Sequence, residues 1–407
     1  MIDKGGVSAA EVRVYPYRWV VLGVFSLLNL TIQTLWIAYA PITDDAAKYY
    51  GTGELQIGWL AMSFMIAFVP LSMPASWAID AFGFRRAVNV GAALMLVCGP
   101  LRGLAGRSYP MVLATTIGLA IAQPFLLNAW TKLPARWFRV SERATAVGII
   151  TLASLVGTAV GMALTPVLAA SHSIAWVQSA YGAAAAVTAL LFFAFARERP
   201  PTPPGAPGEE VRALMRDGLK HALGVRAFWL YLAVAFVGMG IFNGVSTWIE
   251  GIVRPRGFSS TQAGTLGAVM LLGGLLGAVV IPPLSDRQRK RQRYLLLGVA
   301  LTIPGLAGLA FAKSFGLLLG STFFMGFFLV STLPVGMQYA AEITHPTPEG
   351  TSAGLIQLFG QGAVVFVYVM EAMRTADGAF TRSLVLAMAL MAVCVGLVTR
   401  LRDARAD

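Results

Sequence analysis

The stretch Gly51-Thr52-Gly53-Glu54-Leu55-Gln56-Ile57-Gly58-Trp59-Leu60 returns later in the chain as Gly257-Phe258-Ser259-Ser260-Thr261-Gln262-Ala263-Gly264-Thr265-Leu266. Four residues recur in the frame Gly-x4-Gln-x-Gly-x-Leu, each at an offset of 206. The same offset carries Asp80, in Asp80-Ala81-Phe82-Gly83-Phe84-Arg85-Arg86, onto Asp286, in Asp286-Arg287-Gln288-Arg289-Lys290-Arg291. An offset of 207 carries Ser141-Glu142-Arg143-Ala144-Thr145-Ala146 onto Pro348-Glu349-Gly350-Thr351-Ser352-Ala353. One shift that works across most of a half means two copies of one unit. Internal duplication in a very apolar chain points to a secondary transporter whose site lies between the copies.

Composition sets the solvent. The chain has 407 residues, 57% apolar and 12% charged, with mean hydropathy +0.70. Soluble proteins carry roughly 25% charged residues. Here the charges cluster between apolar runs long enough to span a bilayer. A net charge of +12 raises the question of nucleic acid. The basic residues fall in alternate loops, which is topology information in a membrane protein, so no nucleic-acid partner is expected. Cys98 and Cys394 lie in apolar spans, far apart. Together with His172, His221 and His345, which are in loops or the linker, they offer no metal-ligand spacing. No metal and no cofactor are expected. The first apolar span, about 19–42, is too long for a signal-peptide core.

The pattern predicts twelve spans, near 18–42, 56–79, 87–105, 110–131, 145–169, 174–196, 227–251, 261–284, 293–312, 315–340, 351–373 and 379–400. The fold class is therefore an all-α membrane protein with twelve transmembrane helices in two six-helix pseudo-repeats. The expected units are a six-helix bundle over 1–197, a linker over 198–225 and a second bundle over 226–407. The linker opens on Arg199-Pro200-Pro201-Thr202-Pro203-Pro204-Gly205, which is stiff and helix-breaking. It continues as an amphipathic helix from Glu209 to Arg216 lying on the membrane surface. Most of the 31 basic residues fall on one side if both termini are cytoplasmic. That asymmetry fixes the termini inside a plasma or bacterial inner membrane. The loop between spans ten and eleven, with Glu342, His345 and Glu349, has no Lys or Arg and would not be placed by this rule alone.

The two Asp/Arg turns follow spans two and eight. They resemble the loop signature of the major facilitator superfamily, Gly-x-x-x-Asp-x-x-Gly-x-(Arg/Lys)-(Arg/Lys). Asp80, Gly83, Arg85 and Arg86 match, with Ser76 at the leading position. In the second copy Asp286 matches, with Pro282 at the leading position and Arg287, Gln288, Arg289 and Lys290 following. A carboxylate at such a helix end pairs with an arginine or a helix N-terminus of the neighbouring span. Asp80, Arg85, Arg86, Asp286 and Arg287 are thus the expected cytoplasmic gate, locked in one conformation and broken in the other. The plainer reading, solvated loop charges, stays open.

A narrower resemblance rests on Tyr17-Arg18-Trp19-Val20-Val21-Leu22, Trp36-Ile37-Ala38-Tyr39, Pro74-Ala75-Ser76-Trp77-Ala78-Ile79-Asp80, Gly157-Thr158-Ala159-Val160-Gly161 and Leu333-Pro334-Val335-Gly336. Its most specific stretch is Pro346-Thr347-Pro348-Glu349-Gly350-Thr351-Ser352-Ala353-Gly354-Leu355. These resemble the feline leukaemia virus subgroup C receptor-related family, whose members carry choline and ethanolamine, with haem also proposed. The resemblance implies that Trp36 takes the place of an aromatic stacked on a quaternary ammonium, and Gln361 that of a glutamine in span eleven. Ring faces attract such cations by about 2 kcal/mol when desolvated. The family's span-five glutamine falls on Leu155 and its span-seven tyrosine on Asn243, so half of the choline-binding set is absent here.

From the residues alone, the intramembrane polar set is Asn29, Gln33, Gln123, Asn128, Asn243, Gln357 and Gln361. Such groups face the interior of a bundle, either lining a pathway or bonding between helices. Gln33, Trp36 and Tyr39 are spaced to share one helix face. Substrate contacts are expected from Trp36, Gln361, Gln33, Tyr39, Asn243 and Gln357. No ionisable residue lies mid-span; Glu250 and Glu371 sit near the outer ends of spans seven and eleven. Proton-driven carriers normally need a relay within the membrane. The expected function is facilitative uniport of a small organic solute, an amine or a haem-related molecule, by a monomer whose partners are that substrate and the lipid bilayer. The alternative is a proton-coupled exporter of drugs or organic acids. A non-transporting receptor or an enzyme ranks lower, since the spans hold no nucleophile, base or metal cluster.

Overall fold

A computed structural model of the chain describes residues 15–202, 215–345, 347 and 349–401. Among them every regular element is helical. Twelve spans are long and apolar enough to cross a membrane: Arg18–Tyr50, Glu54–Phe82, Phe84–Leu104, Tyr109–Leu127, Thr145–Ser171, Ile174–Phe195, Arg226–Thr247, Ser260–Gln288, Arg291–Phe311, Phe315–Ile343, Gly354–Ala372 and Thr381–Val398. They are numbered one to twelve below. The twelve expected spans are all present. The expected helix from Glu209 to Arg216 lies mostly outside the described residues; the helix described there is Met215–Gly224.

Each part of the repeated stretch has a local cause. Gly51 and Gly257 have φ of +66° and +85°, the left-handed turn that ends the preceding helical segment. Gln262 closes a capping box on Ser259 at the start of span eight: its Oε1 accepts the Ser259 N–H at 2.9 Å and its own N–H donates to Ser259 Oγ. Gln56 holds the same place one turn into span two, after the N-cap Gly53. Gly58 and Gly264 are sites of close approach. A Cβ on Gly58 would sit 2.4 Å from the Trp248 ring, and one on Gly264 would sit 2.3 Å from the Met162 carbonyl oxygen. Both glycines therefore admit a helix from the other set of six spans.

Packing repeats as well. Span three lies on six and four, and span two on four; span nine lies on twelve and ten, and span eight on ten. Span one packs on five and six, as seven packs on eleven and twelve. Across the two sets, five meets eight and two meets eleven, again a matched pair. Most spans carry an exposed apolar stripe away from the centre, with Leu104 and Leu317 more than 60% exposed. Span one is the most enclosed.

Spans one and eleven are interrupted. The helix of span one stops at Ile37 and resumes through a 3-10 turn at Ala40–Ile42. Span seven ends at Thr247, and a separate short helix, Ile249–Val253, follows it. Span eleven breaks at Ala363. Broken helices in a membrane are tolerated where they line a cavity.

Candidate substrate cavity and its two ends

One cavity of about 3570 Å³ runs from the middle of the molecule to the end that carries the Asp80 and Asp286 loops. Gln33, Trp36, Asn243, Gln357 and Gln361 line it, together with Gln123. The charged residues along it are Asp80, Lys132, Arg136, Arg143, Arg197 and Arg199, all from span ends and loops at the mouth. The deeper wall is aromatic, aliphatic and amide. Trp36 is 8% exposed, and its indole N–H points at the Ala61 carbonyl, 3.3 Å away. Gln357 and Gln361 lie one turn apart on span eleven, just before its break.

The expected polar set divides. Asn29 is fully buried; its amide donates to Phe25 O and accepts from the Trp130 indole at 2.7 Å, so it ties helices together. Asn128 lines the cavity but donates to Ser72 and Ser76 of span two. Tyr39 is not on the cavity wall. Its hydroxyl is bonded to that of Tyr50 at 2.8 Å, and the Arg102 guanidinium lies 4.6 Å over its ring. The helix stops at Ile37, so the face shared by Gln33 and Trp36 does not extend to position 39.

At the open end the expected gate residues pair within their own set of six spans. Asp80 meets Lys132 at 2.5 Å, with both side chains about half exposed. Arg85 donates to Phe193 O, and its peptide N–H to Glu198. Asp286 pairs with Arg291, which also reaches Glu342 at 3.0 Å. Arg86 and Arg287 are exposed. Asp80 and Asp286 are thus paired only within their own sets at this end. The open cavity holds these loops apart.

The crossing pairs are at the opposite, closed end. Arg254 reaches Glu54 at 2.5 Å and Asp44 at 2.9 Å; Arg374 reaches Glu54 at 2.7 Å. Glu250, 2% exposed, accepts the Asp44 N–H at 2.9 Å and the Ser260 hydroxyl at 3.2 Å. Ser260 also bonds to Asp45. Below them Trp248 is fully buried, donates to Val367 O and sits on Gly58. Glu250 lies outside the spans. Burial pushes its carboxyl up to about 7; Asp45 adds to the rise, while the Asp44 N–H, Arg254 and Ser260 oppose it.

The sequence reading missed this seal, although a signal existed. Asp44 and Glu250, which touch, are themselves 206 residues apart. They are equivalent positions of the two copies and meet on the axis that relates them.

The family model of the Major Facilitator Superfamily matches residues 21–368, with a second match over 250–405. The chain belongs to the major facilitator superfamily. It is 31% identical over 390 residues to solute carrier family 49 member A3 of Danio rerio, covering 92% of this chain and 82% of that one. It is 26% identical to the human choline/ethanolamine transporter FLVCR2, covering 88% of this chain and 72% of that one. The fold matches a D-xylose–proton symporter with a TM-score of 0.75 at 15% identity, over 96% and 99% of the chains. It also matches a bacterial homologue of the lysosomal transporter Spinster, solved inward-facing, with a TM-score of 0.71 at 17% identity, over 97% and 100%. The protein is a multi-pass membrane transporter and not an enzyme.

Proposed function

We propose that this transporter carries a small organic amine of the choline or ethanolamine type by alternating access, as a facilitative uniporter. Residues 1–197 and 226–407 are the two halves that rock, joined by the linker at 198–225. Both termini and the basic loops are cytoplasmic, in a plasma or bacterial inner membrane, so the open end faces inward. The observation that carries the reading is the deep wall. Trp36 offers a ring face and the neighbouring groups are amides, with no carboxylate or basic residue among them. A cation held by ring faces needs no counter-ion, and a wall without an ionisable relay suits transport down a gradient. Curated relatives named as choline/ethanolamine transporters support the substrate class.

A second reading, proton-coupled export of an organic acid, is favoured by the mouth, where Lys132, Arg136, Arg197 and Arg199 stand against Asp80. Much of that charge is engaged: Lys132 with Asp80, Arg136 with Glu198, and Arg197 over the Tyr17 ring.

Uptake of labelled choline into proteoliposomes separates the two. The expected result is equilibration without accumulation, whether or not a pH gradient is imposed. Trp36→Ala is expected to weaken binding about ten-fold, and Trp36→Phe less. Accumulation driven by the pH gradient, with an organic acid as cargo, reverses the assignment.

A further inference from the structure

Gln123 stands on span four, against span one. Its Nε2 donates to Gln33 Oε1 at 3.0 Å. The side chain is 3% exposed and lines the cavity, and its Oε1 has no hydrogen-bond partner among the described residues. Ser154 repeats the pattern on span five. It is 3% exposed, lines the same cavity, and its Oγ also has no partner. Ser154 lies one turn before Gly157, whose carbonyl accepts from Thr34 of span one at 2.8 Å. Buried polar atoms left unbonded are costly and uncommon. Two of them on a cavity wall mark a place where the missing partner arrives with the ligand.

Gln33 is one turn from Trp36 on the same helix, so the amide pair adjoins the indole. The Gln33–Gln123 bond leaves two functions for a ligand: the Gln123 Oε1 as acceptor and the Gln33 Nε2 as donor. A hydroxyl both donates and accepts, and so satisfies both. A carboxylate satisfies only the donor, and an ammonium only the acceptor.

We infer that the Gln33–Gln123 amide pair is a hydroxyl-recognising subsite that selects a hydroxylated ammonium over its plain alkyl counterpart. This rests on the amine reading above. The pair supplies from spans one and four the amide that the resembling family has in span five, where this chain has Leu155.

The test uses two ligands of equal charge that differ only by the hydroxyl group, choline and ethyltrimethylammonium, on the purified full chain. Wild type is expected to bind choline about ten-fold more tightly. Gln123→Met, similar in volume but with no acceptor oxygen, is expected to bind both alike. Its ethyltrimethylammonium affinity should stay within about two-fold of wild type, which also shows that the variant is folded. Gln33→Met is expected to erase the preference in the same way. A wild-type ratio preserved in both variants overturns the subsite, as does a wild type that binds the two ligands equally. In either case Trp36→Ala still reports on the amine reading separately. Failure of wild type to bind either ligand overturns the amine reading, and the subsite with it.

Discussion

The two ends of this transporter are built from the same repeat but are held in opposite ways. At the closed end, charges from one set of spans meet charges from the other: Glu54 with Arg254 and Arg374, Asp44 with Arg254 and with Glu250 through its peptide N–H. At the open end the pairs described are internal to one set: Asp80 with Lys132, Arg18 with Glu142, Arg291 with Asp286 and Glu342. A contact that crosses between the sets exists in only one conformation and so biases the equilibrium between conformations. A contact within a set exists in both and stabilises the two conformations equally. The difference separates gate residues from scaffold residues in this state.

The largest effect is expected where crossing packing is tightest. Gly58→Leu drives a side chain into the Trp248 ring, which is fully buried and anchored to Val367 O. Overpacking of this kind costs about 1–3 kcal/mol, paid only while this end is closed. The population should move toward the state open at this end by about 5- to 150-fold, with transport falling accordingly. Reactivity of Gln361→Cys toward a reagent added at the opposite end should fall in step. Unchanged reactivity would show that the halves do not separate at Gly58.

A smaller and more discriminating effect comes from matched arginines. Arg254→Met removes the cation between Asp44 and Glu54, leaving Asp44 with Lys48 of its own set and Glu54 with Arg374. The state open at this end should gain several-fold, an effect on the order of 1 kcal/mol for partly exposed pairs. Arg291→Met, which breaks pairs inside one half, should lower the melting temperature without moving the accessibility of Gln361→Cys. Equal shifts in accessibility from both variants would erase the distinction between the ends.

Much of this was legible in the sequence, and the rest was hidden for physical reasons. Hydropathy runs and the offset of 206 suffice for twelve spans, because a helix in lipid must be apolar along its length. Five of the six residues expected at the substrate, Trp36, Gln33, Asn243, Gln357 and Gln361, do reach the cavity wall. Tyr39 does not, and Pro41 was the overlooked sign: a proline two residues on ends a helix more readily than it continues one. The gate loops were visible as motifs, but their partners depend on which end is open, and no pattern in one sequence encodes that. The seal at Asp44 and Glu250 left only a partial sign, two acidic residues at the repeat offset, which Asp80 and Asp286 share without meeting. Gln123 was visible only as one polar residue among seven.

The third effect is pH-dependent, and its sign follows from Glu250. With this end closed, burial holds the carboxyl near 7, and water returns it toward its ordinary 4.5 when the end opens. The proton therefore binds the closed form more tightly. Below about 4.5 the closed form keeps its full preference; as pH rises toward 7 and past it, that preference is lost. The charged groups facing Glu250 are Asp44, Asp45 and Arg254. The fraction open at this end should rise between pH 5 and pH 8, and Glu250→Gln should flatten the dependence. A slope that survives in Glu250→Gln would assign the titration to another group.

The smallest effect concerns Tyr39, which sits at the closed end but crosses nothing. Its hydroxyl meets that of Tyr50, and Arg102 covers its ring; all three belong to the first set of spans. Tyr39→Phe removes one buried hydrogen bond and leaves the Tyr50 hydroxyl without that partner, a loss of about 1 kcal/mol of stability. The ring and its contact with Arg102 remain. Because the bond is internal to one half, it exists whichever end is open. The accessibility of Gln361→Cys should stay at its wild-type value while the melting temperature falls by a few degrees. Because Tyr39 is absent from the cavity wall, choline affinity should also be unchanged, in contrast to the ten-fold loss expected for Trp36→Ala on the same helix. A comparable loss of affinity in Tyr39→Phe would return Tyr39 to the site and mean that the first span rewinds past Ile37 when substrate binds.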